Sequence, residues 1–222
     1  MRGSSVRLVV TDLDGTLWGR DERCHARALA ALGELERAGI AVLVATGRRA
    51  RSCRRGYDVN GLDLPAVLLN GALGLDAGFT EAFHVAGFGR AEAAATLAAY
   101  QDHAVSPCAY VVPDGDDTDV LLDEAPTTCE AHLSSLAPWA RRGRLTELIG
   151  VHDVLGISVH GMEPDRLAPV AERIGGEGCG APVFTEDVLY GGWSLMVAPR
   201  GVSKVDGIVA WCDRHGIDAA SV

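Results

Sequence analysis

Val6-Arg7-Leu8-Val9-Val10-Thr11-Asp12-Leu13-Asp14-Gly15-Thr16-Leu17 is the stretch on which the fold turns. Val6 to Val10 is a short, nearly continuous apolar run, the pattern of a strand covered on both faces. Two carboxylates, Asp12 and Asp14, follow at its carboxyl end, where doubly wound sheets bind their ligands. Side chains two apart leave an extended strand on the same side, so both acids can face one site. One can attack as a nucleophile while the other moves a proton. Gly15 permits an abrupt turn, and Thr16 adds a hydroxyl. Taken alone, two aspartates after a strand also fit an ordinary Asx-rich turn.

Working outward, strands and helices alternate. Cys24–Ala38 reads as a helix with Ala28, Leu32 and Leu35 on one face and Gly39 as its stop. Ile40–Ala45 is a second buried strand, Arg49–Tyr57 a helix and Ala66–Leu69 a third strand. This alternation predicts an α/β fold with a doubly wound parallel sheet, Rossmann-like in layout. After Asn70 the segments shorten. Ala72–Leu75, Ala82–Val85, Ala109–Val112 and Val120–Leu122 read as hairpin strands. Arg90–His103, Cys129–Arg142 and Asp165–Ile174 read as helices, and Leu155–His160 and Trp193–Ala198 as strands. Residues 74–191 are therefore expected to form an α+β unit inserted into a core made of residues 1–73 and 192–222. Ser203–His215 returns to the first pattern. It is a helix with Val205, Ile208, Val209 and Cys212 on one stripe and a capping-box start at Ser203 and Asp206.

Composition narrows the function. Of 222 residues, 48% are hydrophobic and 23% charged, which excludes intrinsic disorder. The net charge of −10 argues against a nucleic-acid or anionic-membrane partner. No apolar run is long enough to span a bilayer, and Met1–Val10 does not read as a signal peptide. Six cysteines (24, 53, 108, 129, 179 and 212) are dispersed without a CxxC pair, so reduced thiols in a cytoplasmic setting are expected. Lys204 is the single lysine; the other 19 basic residues are arginines.

Two further segments carry chemistry. Ala45-Thr46-Gly47-Arg48 ends the second strand. A hydroxyl, an open glycine N–H and a helix start together make an anion site, and Arg48 could reach a substrate phosphate. Arg49, Arg51, Arg54 and Arg55 read as a solvated helix face. Gly201-Val202-Ser203-Lys204 places the lone lysine at a helix start, where a compact point charge can neutralise a phosphate and two aspartates. Asn70-Gly71-Ala72 follows the third strand. Its asparagine either lines the site or merely serves a turn.

In their order and spacing, these segments resemble the motifs of the haloacid dehalogenase superfamily of phosphotransferases. DLDGTL resembles its first motif, Ala45–Arg48 its second, and Trp193–Lys204 its third. Asn70-Gly71 is similar to the segment leading into the cap in the Cof-like group, whose large cap lies between the second and third motifs. The resemblance implies that Asp12 is the nucleophile, forming an aspartyl-phosphate, and that Asp14 is the acid/base. Asp12 and Asp14, the latter through its carbonyl, would hold Mg²⁺. Thr46 and Gly47 would bind the phosphoryl group, Arg48 and Asn70 would contact substrate, and Lys204 would offset negative charge. The inserted cap would close over the site and select the leaving group, with Tyr110, Trp139, Tyr190 and Trp193 as candidate contacts. The implied activity is Mg²⁺-dependent hydrolysis of a small phosphorylated metabolite, such as a sugar phosphate. A catalytically silent binding protein of the same fold, or a phosphomutase, are the alternatives.

One departure stands against the pattern. The acidic fourth motif, expected after the strand that follows the lysine helix, has no counterpart before Val222. Its absence would leave the Val6–Val10 strand at a sheet edge. A truncated chain, a second copy supplying the strand in a swapped homodimer, or lost catalysis would each explain it, and truncation is the favoured reading. Three other features are set aside. Asp114–Asp119 does not fit a Ca²⁺ loop and reads as a solvated turn. Gly175–Gly180 is a loop rather than a dinucleotide fingerprint. The seven histidines show no metal-ligand spacing.

Overall fold

The computed structural model describes residues 6–113 and 118–222. Residues 114–117, most of the acidic turn singled out above, lie outside the described residues. Of that turn's remaining residues, Thr118 and Asp119 are buried rather than solvated. The chain divides into two compact units, Met1–Ala86 with Val202–Val222, and Gly87–Gly201. Among the described residues, no helix is long and apolar enough to cross a membrane.

The first unit is built on strands β1 (Leu8–Thr11), β2 (Ala41–Ala45), β3 (Ala66–Leu68), β4 (Leu73–Leu75) and β5 (Ala82–Val85), with helices α1 (Ala26–Arg37) and α2 (Ala50–Asn60) between them. They form one sheet in the order β1-β2-β3-β4-β5. The β1–β2 and β2–β3 pairs are parallel, as the alternation predicts, with Leu8 opposite Ala41 and Thr11 opposite Val44. β4 and β5 then add an antiparallel hairpin, with Leu68 opposite Leu73 and Ala66 opposite Leu75. Because the hairpin pairs directly with β3, it belongs to the first unit. The division therefore falls after Ala86 rather than Leu73, and the first unit resumes at Val202 rather than 192, because the strand Trp193–Ala198 pairs within the second unit's sheet. Among the described residues, β1 pairs with a strand on one side only. Just before β1, the Arg7 N–H donates to the Ser221 carbonyl at 2.9 Å. The expected apolar face of α1 is half-buried, and no residue of that helix is fully buried.

The second unit contains α3 (Arg90–Gln101), β6 (Cys108–Val111), β7 (Val120–Leu122), α4 (Glu130–Leu136), β8 (Ala140–Arg142), α5 (Leu145–Leu148), β9 (Val154–Met162), α6 (Pro164–Glu177), β10 (Ala181–Glu186) and β11 (Trp193–Ala198). Its sheet runs β10-β11-β9-β6-β7-β8. Alternate residues of the sheet, among them Ala109, Ile157 and Leu195, meet Leu97, Leu167 and Val170 of α3 and α6 in one core. Three expectations need correction. The helix expected over Cys129–Arg142 stops at Leu136, because Pro138 cannot continue it, and Ala140–Arg142 instead pairs in parallel with β7. The glycine run at 175–180 is loop only from Gly178 onward; α6 runs through Gly175 and Gly176 and ends where Gly178 adopts φ 62°. β10 was not foreseen. It lies at the sheet edge, where Pro182 costs no ladder bond.

The chain returns to the first unit with α7 (Lys204–His215). Its capping box forms as expected: the Ser203 N–H donates to Asp206 Oδ2 at 2.8 Å. The expected stripe is rotated. Trp211 and Cys212 are buried, whereas Val205 is 62% and Val209 46% exposed. Gly207 sets this orientation, since a β-carbon there would lie 2.5 Å from Val67 Cγ1 of β3. Close approach is also required one turn earlier. Gly71, at φ 115°, faces the Ser203 carbonyl, and a β-carbon would lie 2.0 Å from that oxygen.

Gly71→Ala therefore combines a disfavoured backbone conformation with a backbone clash. It is expected to destabilise the protein by about 3 kcal/mol, read as a fall in the urea midpoint with m unchanged. A loss below about 0.5 kcal/mol would show that the α7 junction yields.

Candidate active site

The site is assembled at the carboxyl ends of β1 and β2. Beyond Thr11 the chain turns sharply. The N–H groups of Thr16, Leu17 and Trp18 all donate to the Leu13 carbonyl, and Gly15 sits at φ 72°. Leu13, Leu17 and Trp18 are buried and pin the turn, which leaves Asp12 and Asp14 at its open side. Asp12 Oδ1 accepts the Leu13 N–H at 2.8 Å, and its Oδ2 accepts Lys204 Nζ at 3.0 Å from 192 residues away. The sole lysine of the chain thus meets the first aspartate of the motif.

Thr46 follows β2 directly and is buried. Its N–H donates to the Val67 carbonyl at 2.8 Å, and its hydroxyl oxygen accepts the Arg48 N–H at 3.3 Å. Asn70, at φ 56°, donates its N–H to the Thr46 carbonyl at 3.1 Å. Its side chain lies against Gly47, where a β-carbon would come within 3.0 Å of Asn70 Oδ1. The two strand ends carrying Thr46 and Asn70 are therefore joined, and Gly47 is what lets them close.

Arg48, expected to meet a phosphate, is engaged within the protein. Its Nε and Nη2 donate to the two carboxylate oxygens of Asp14 at 2.8 and 2.7 Å, a bidentate pair. Its Nη1 donates to Glu22, and its face lies 5.1 Å from the Trp18 ring centre. The Trp18 indole N–H also donates to Asp14 Oδ1 at 3.1 Å. Burial pushes the Asp14 carboxyl up. The hydrogen bonds from Arg48 and Trp18, with the charges of Arg48 and Lys204, outweigh that and hold it below the usual carboxylate range. Burial likewise pushes Glu22 up, and its bonds from Arg55 and Arg48 bring it below the ordinary value. The arginines read as a solvated face are not merely solvated: Arg55 pairs with Glu22, and Arg54 with Asp58 and Asp63. Glu22 and Trp18 carried no signal in the sequence, since neither lies in a motif or a periodic element.

Among the described residues, no group of three or more His, Cys, Asp or Glu could hold a metal ion. The Asp12 carboxylate at the end of β1 is a hard oxygen donor, and the Asp14 carbonyl is the second one that the resemblance implies. Such a set fits Mg²⁺, which usually binds through one or two carboxylates together with waters and substrate phosphate.

The second unit holds its own polar cluster, none of which was expected as a group. Asp187 is buried and accepts the N–H groups of Leu189 and Tyr190 at 3.0 and 2.9 Å. It also bonds His160 Nδ1 at 2.9 Å and the Ser194 hydroxyl. The His132 and His160 rings lie 4.2 Å apart, and Tyr190 packs 5.0 Å from His132. Of the four aromatic residues considered as substrate contacts, Tyr110 is buried and bonded to Ser158, and Trp193 packs on Phe184.

Comparison with known proteins gives this arrangement a context. Residues 9–115 match the model of the haloacid dehalogenase-like hydrolases. A curated phosphoglycolate phosphatase of Methanopyrus kandleri is 36% identical over 66 residues; the match spans 30% of this chain and 28% of that protein's length. A Thermotoga maritima protein of known structure is 18% identical, with a TM-score of 0.73 over 95% of this chain and 76% of that one. A haloacid dehalogenase-like hydrolase from B. subtilis is 16% identical, with a TM-score of 0.73 over 96% and 80%. A sugar phosphatase of haloacid dehalogenase subclass IIB is 18% identical, with a TM-score of 0.67 over 96% and 77%. At these identities the solved structures establish a shared fold.

The depressed carboxyls make the Arg48 cluster a source of pH-dependent stability. A carboxylate held low contributes above its unfolded value, 3.8 for Asp14, and that contribution is lost as the pH falls through the lower folded value. Arg48→Gln is therefore expected to lower Tm at about pH 7 and to differ less from the unmodified chain as the pH drops toward about 3. A gap that widens on acidification, followed by circular dichroism melts, would contradict the pairing.

Proposed function

We propose, from the match of residues 9–115 to the model of the haloacid dehalogenase-like hydrolases, that the chain is a Mg²⁺-dependent phosphatase acting on a small phosphomonoester. The observation that carries the proposal is the 3.0 Å contact of Lys204 Nζ with Asp12 Oδ2, at the carboxyl end of β1. A cation there lowers the repulsion between an attacking carboxylate and an incoming phosphoryl group.

In this reading an Asp12 oxygen attacks phosphorus as the bond from phosphorus to the leaving oxygen breaks. Asp14, after leaving Arg48 and taking up a proton from solvent, gives that proton to the departing oxygen. It then takes a proton from the water that attacks the aspartyl-phosphate. That attack breaks the bond between phosphorus and the Asp12 oxygen, and inorganic phosphate leaves. The Thr46 hydroxyl and the Gly47 N–H hold phosphoryl oxygens, Asn70 lines the site, and Lys204 offsets charge throughout. Mg²⁺, held by the Asp12 carboxylate and the Asp14 carbonyl, would supply further charge neutralisation. Six free thiols fit a reducing, cytoplasmic setting. The acidity of the chain fits a small-molecule substrate better than a nucleic acid or an anionic membrane.

The test is phosphate release from a panel that includes phosphoglycolate and several sugar phosphates, with and without Mg²⁺. Release is expected to need Mg²⁺ and to fall on the order of 10³-fold or more in Asp12→Asn. Equal release from the unmodified chain and Asp12→Asn would overturn the mechanism. Binding of phosphate without turnover would favour a silent binding protein, and phosphoryl exchange within a sugar phosphate without net release would favour a mutase.

A further inference from the structure

We propose that Glu22 is a positioning residue for this site: it tethers one corner of the Arg48 guanidinium so that the opposite edge forms a fork that passes from Asp14 to the phosphoryl oxygens of the substrate. The proposal rests on the phosphatase reading for its substrate and on geometry for the rest.

Arg48 is held on three sides. Its side chain is only 13% exposed, and Nη1 reaches both Glu22 and, at 3.3 Å, the Ser52 hydroxyl. The ring of Trp18 covers one face. What is left is the Nε–Nη2 edge, a planar pair of parallel N–H groups that matches a carboxylate or a phosphate equally well. Asp14 occupies this edge. To take up a proton from solvent and hand it to the leaving oxygen, Asp14 must turn away from the fork. An oxyanion from the substrate then fills the vacated edge, so the guanidinium never stands unpaired.

The tether is itself braced. Glu22 is 17% exposed and is also held by Arg55 Nη2 at 2.9 Å. Its backbone sits at φ 58°, a conformation that costs a non-glycine residue about 1 kcal/mol or more. That conformation is clamped from both sides. The Glu22 N–H donates to the Gly19 carbonyl at 3.1 Å, and the Glu22 carbonyl accepts Asn60 Nδ2 at 2.7 Å. Asn60 Oδ1 accepts the Cys24 N–H at 2.8 Å. A strained loop residue, fixed by an asparagine on α2 and ion-paired to two arginines, has a side chain whose direction is dictated by its surroundings. That direction is toward Arg48.

The test reads Arg48 directly. In ¹⁵N-labelled protein the Arg48 Nε–H resonance is assigned by its loss in Arg48→Lys. In Glu22→Gln it is expected to exchange with solvent at least about tenfold faster, as loss of a charge-assisted bond predicts. Arg54→Gln, which alters a neighbouring arginine paired elsewhere, should leave it unchanged. Steady-state kinetics should show KM raised about tenfold in Glu22→Gln with kcat within about threefold. If Glu22→Gln does not fold, Arg55→Gln removes the brace instead and should speed exchange in the same direction. An Arg48 Nε–H unchanged in the folded variant overturns the tether. A fall in kcat with KM unchanged overturns the transfer of the fork to substrate. Faster exchange in a chain that hydrolyses no phosphomonoester would leave the tether standing and refute the phosphatase reading.

Discussion

The contact between Lys204 and Asp12 depends on the rest of the first unit, far more than the unit depends on it. Both side chains are about a third or more exposed, and a pair of that kind contributes roughly 0–1 kcal/mol to folding. What brings them together is backbone docking. α7 lies on the sheet through buried Trp211 and Cys212, and it approaches β3 only because Gly207 has no β-carbon. The turn after β3 in turn reaches the Ser203 carbonyl only because Gly71 has none. Two glycines and one indole ring thus decide where a lysine 192 residues downstream will sit. An arrangement that uses this much packing to place a weak pair points to a use for the pair other than stability.

The parallel half of the first unit was legible because its signals are local and repeated. A continuous apolar run in β1 or β2 means burial on both faces, and Gly39 closes the helix between them; α2, read as ending at Tyr57, runs on to Asn60. The extent of the unit was not legible. Leu73–Leu75 and Ala82–Val85 do form hairpin strands, but nothing in a strand's own composition says which sheet it joins. The α7 stripe shows the same limit at the level of a single helix. Helical spacing identified Cys212 and Ile208 as inward. It could not foresee that a glycine at 207 would let the helix pack more closely on that side and turn Val205 and Val209 outward.

The site divides in the same way. Asp12, Asp14, Thr46 and Lys204 could be singled out in the sequence because each sits at an element boundary with a residue type that chemistry restricts. Glu22 could not. It lies in a loop, and its direction follows from a positive φ that no neighbouring glycine announces. The second unit's cluster was hidden for a different reason. Asp187 gathers two backbone N–H groups, a histidine and a serine from β9 and β11, strands that meet only through antiparallel pairing. Buried polar groups must find partners somewhere, but the partners are chosen by topology.

The imbalance of 19 arginines to one lysine is consistent with these two kinds of placement. Arg48 touches Asp14 through two nitrogens, reaches Glu22 with a third, and lies over the Trp18 ring. Only a planar, delocalised cation with several fixed donors can meet all three demands, and a lysine would have to abandon at least two. Lys204 faces the opposite demand. It comes off the first turn of α7 and must reach a single oxygen of Asp12. A guanidinium there would extend further and would present a second, competing fork to Asp14. The two aspartates of the motif are thus held by cations of different geometry. Asp14 is held at both oxygens by Arg48, while Asp12 has one oxygen on Lys204 and the other on a backbone N–H. That difference alone is enough to give two carboxylates two residues apart distinct parts in one reaction.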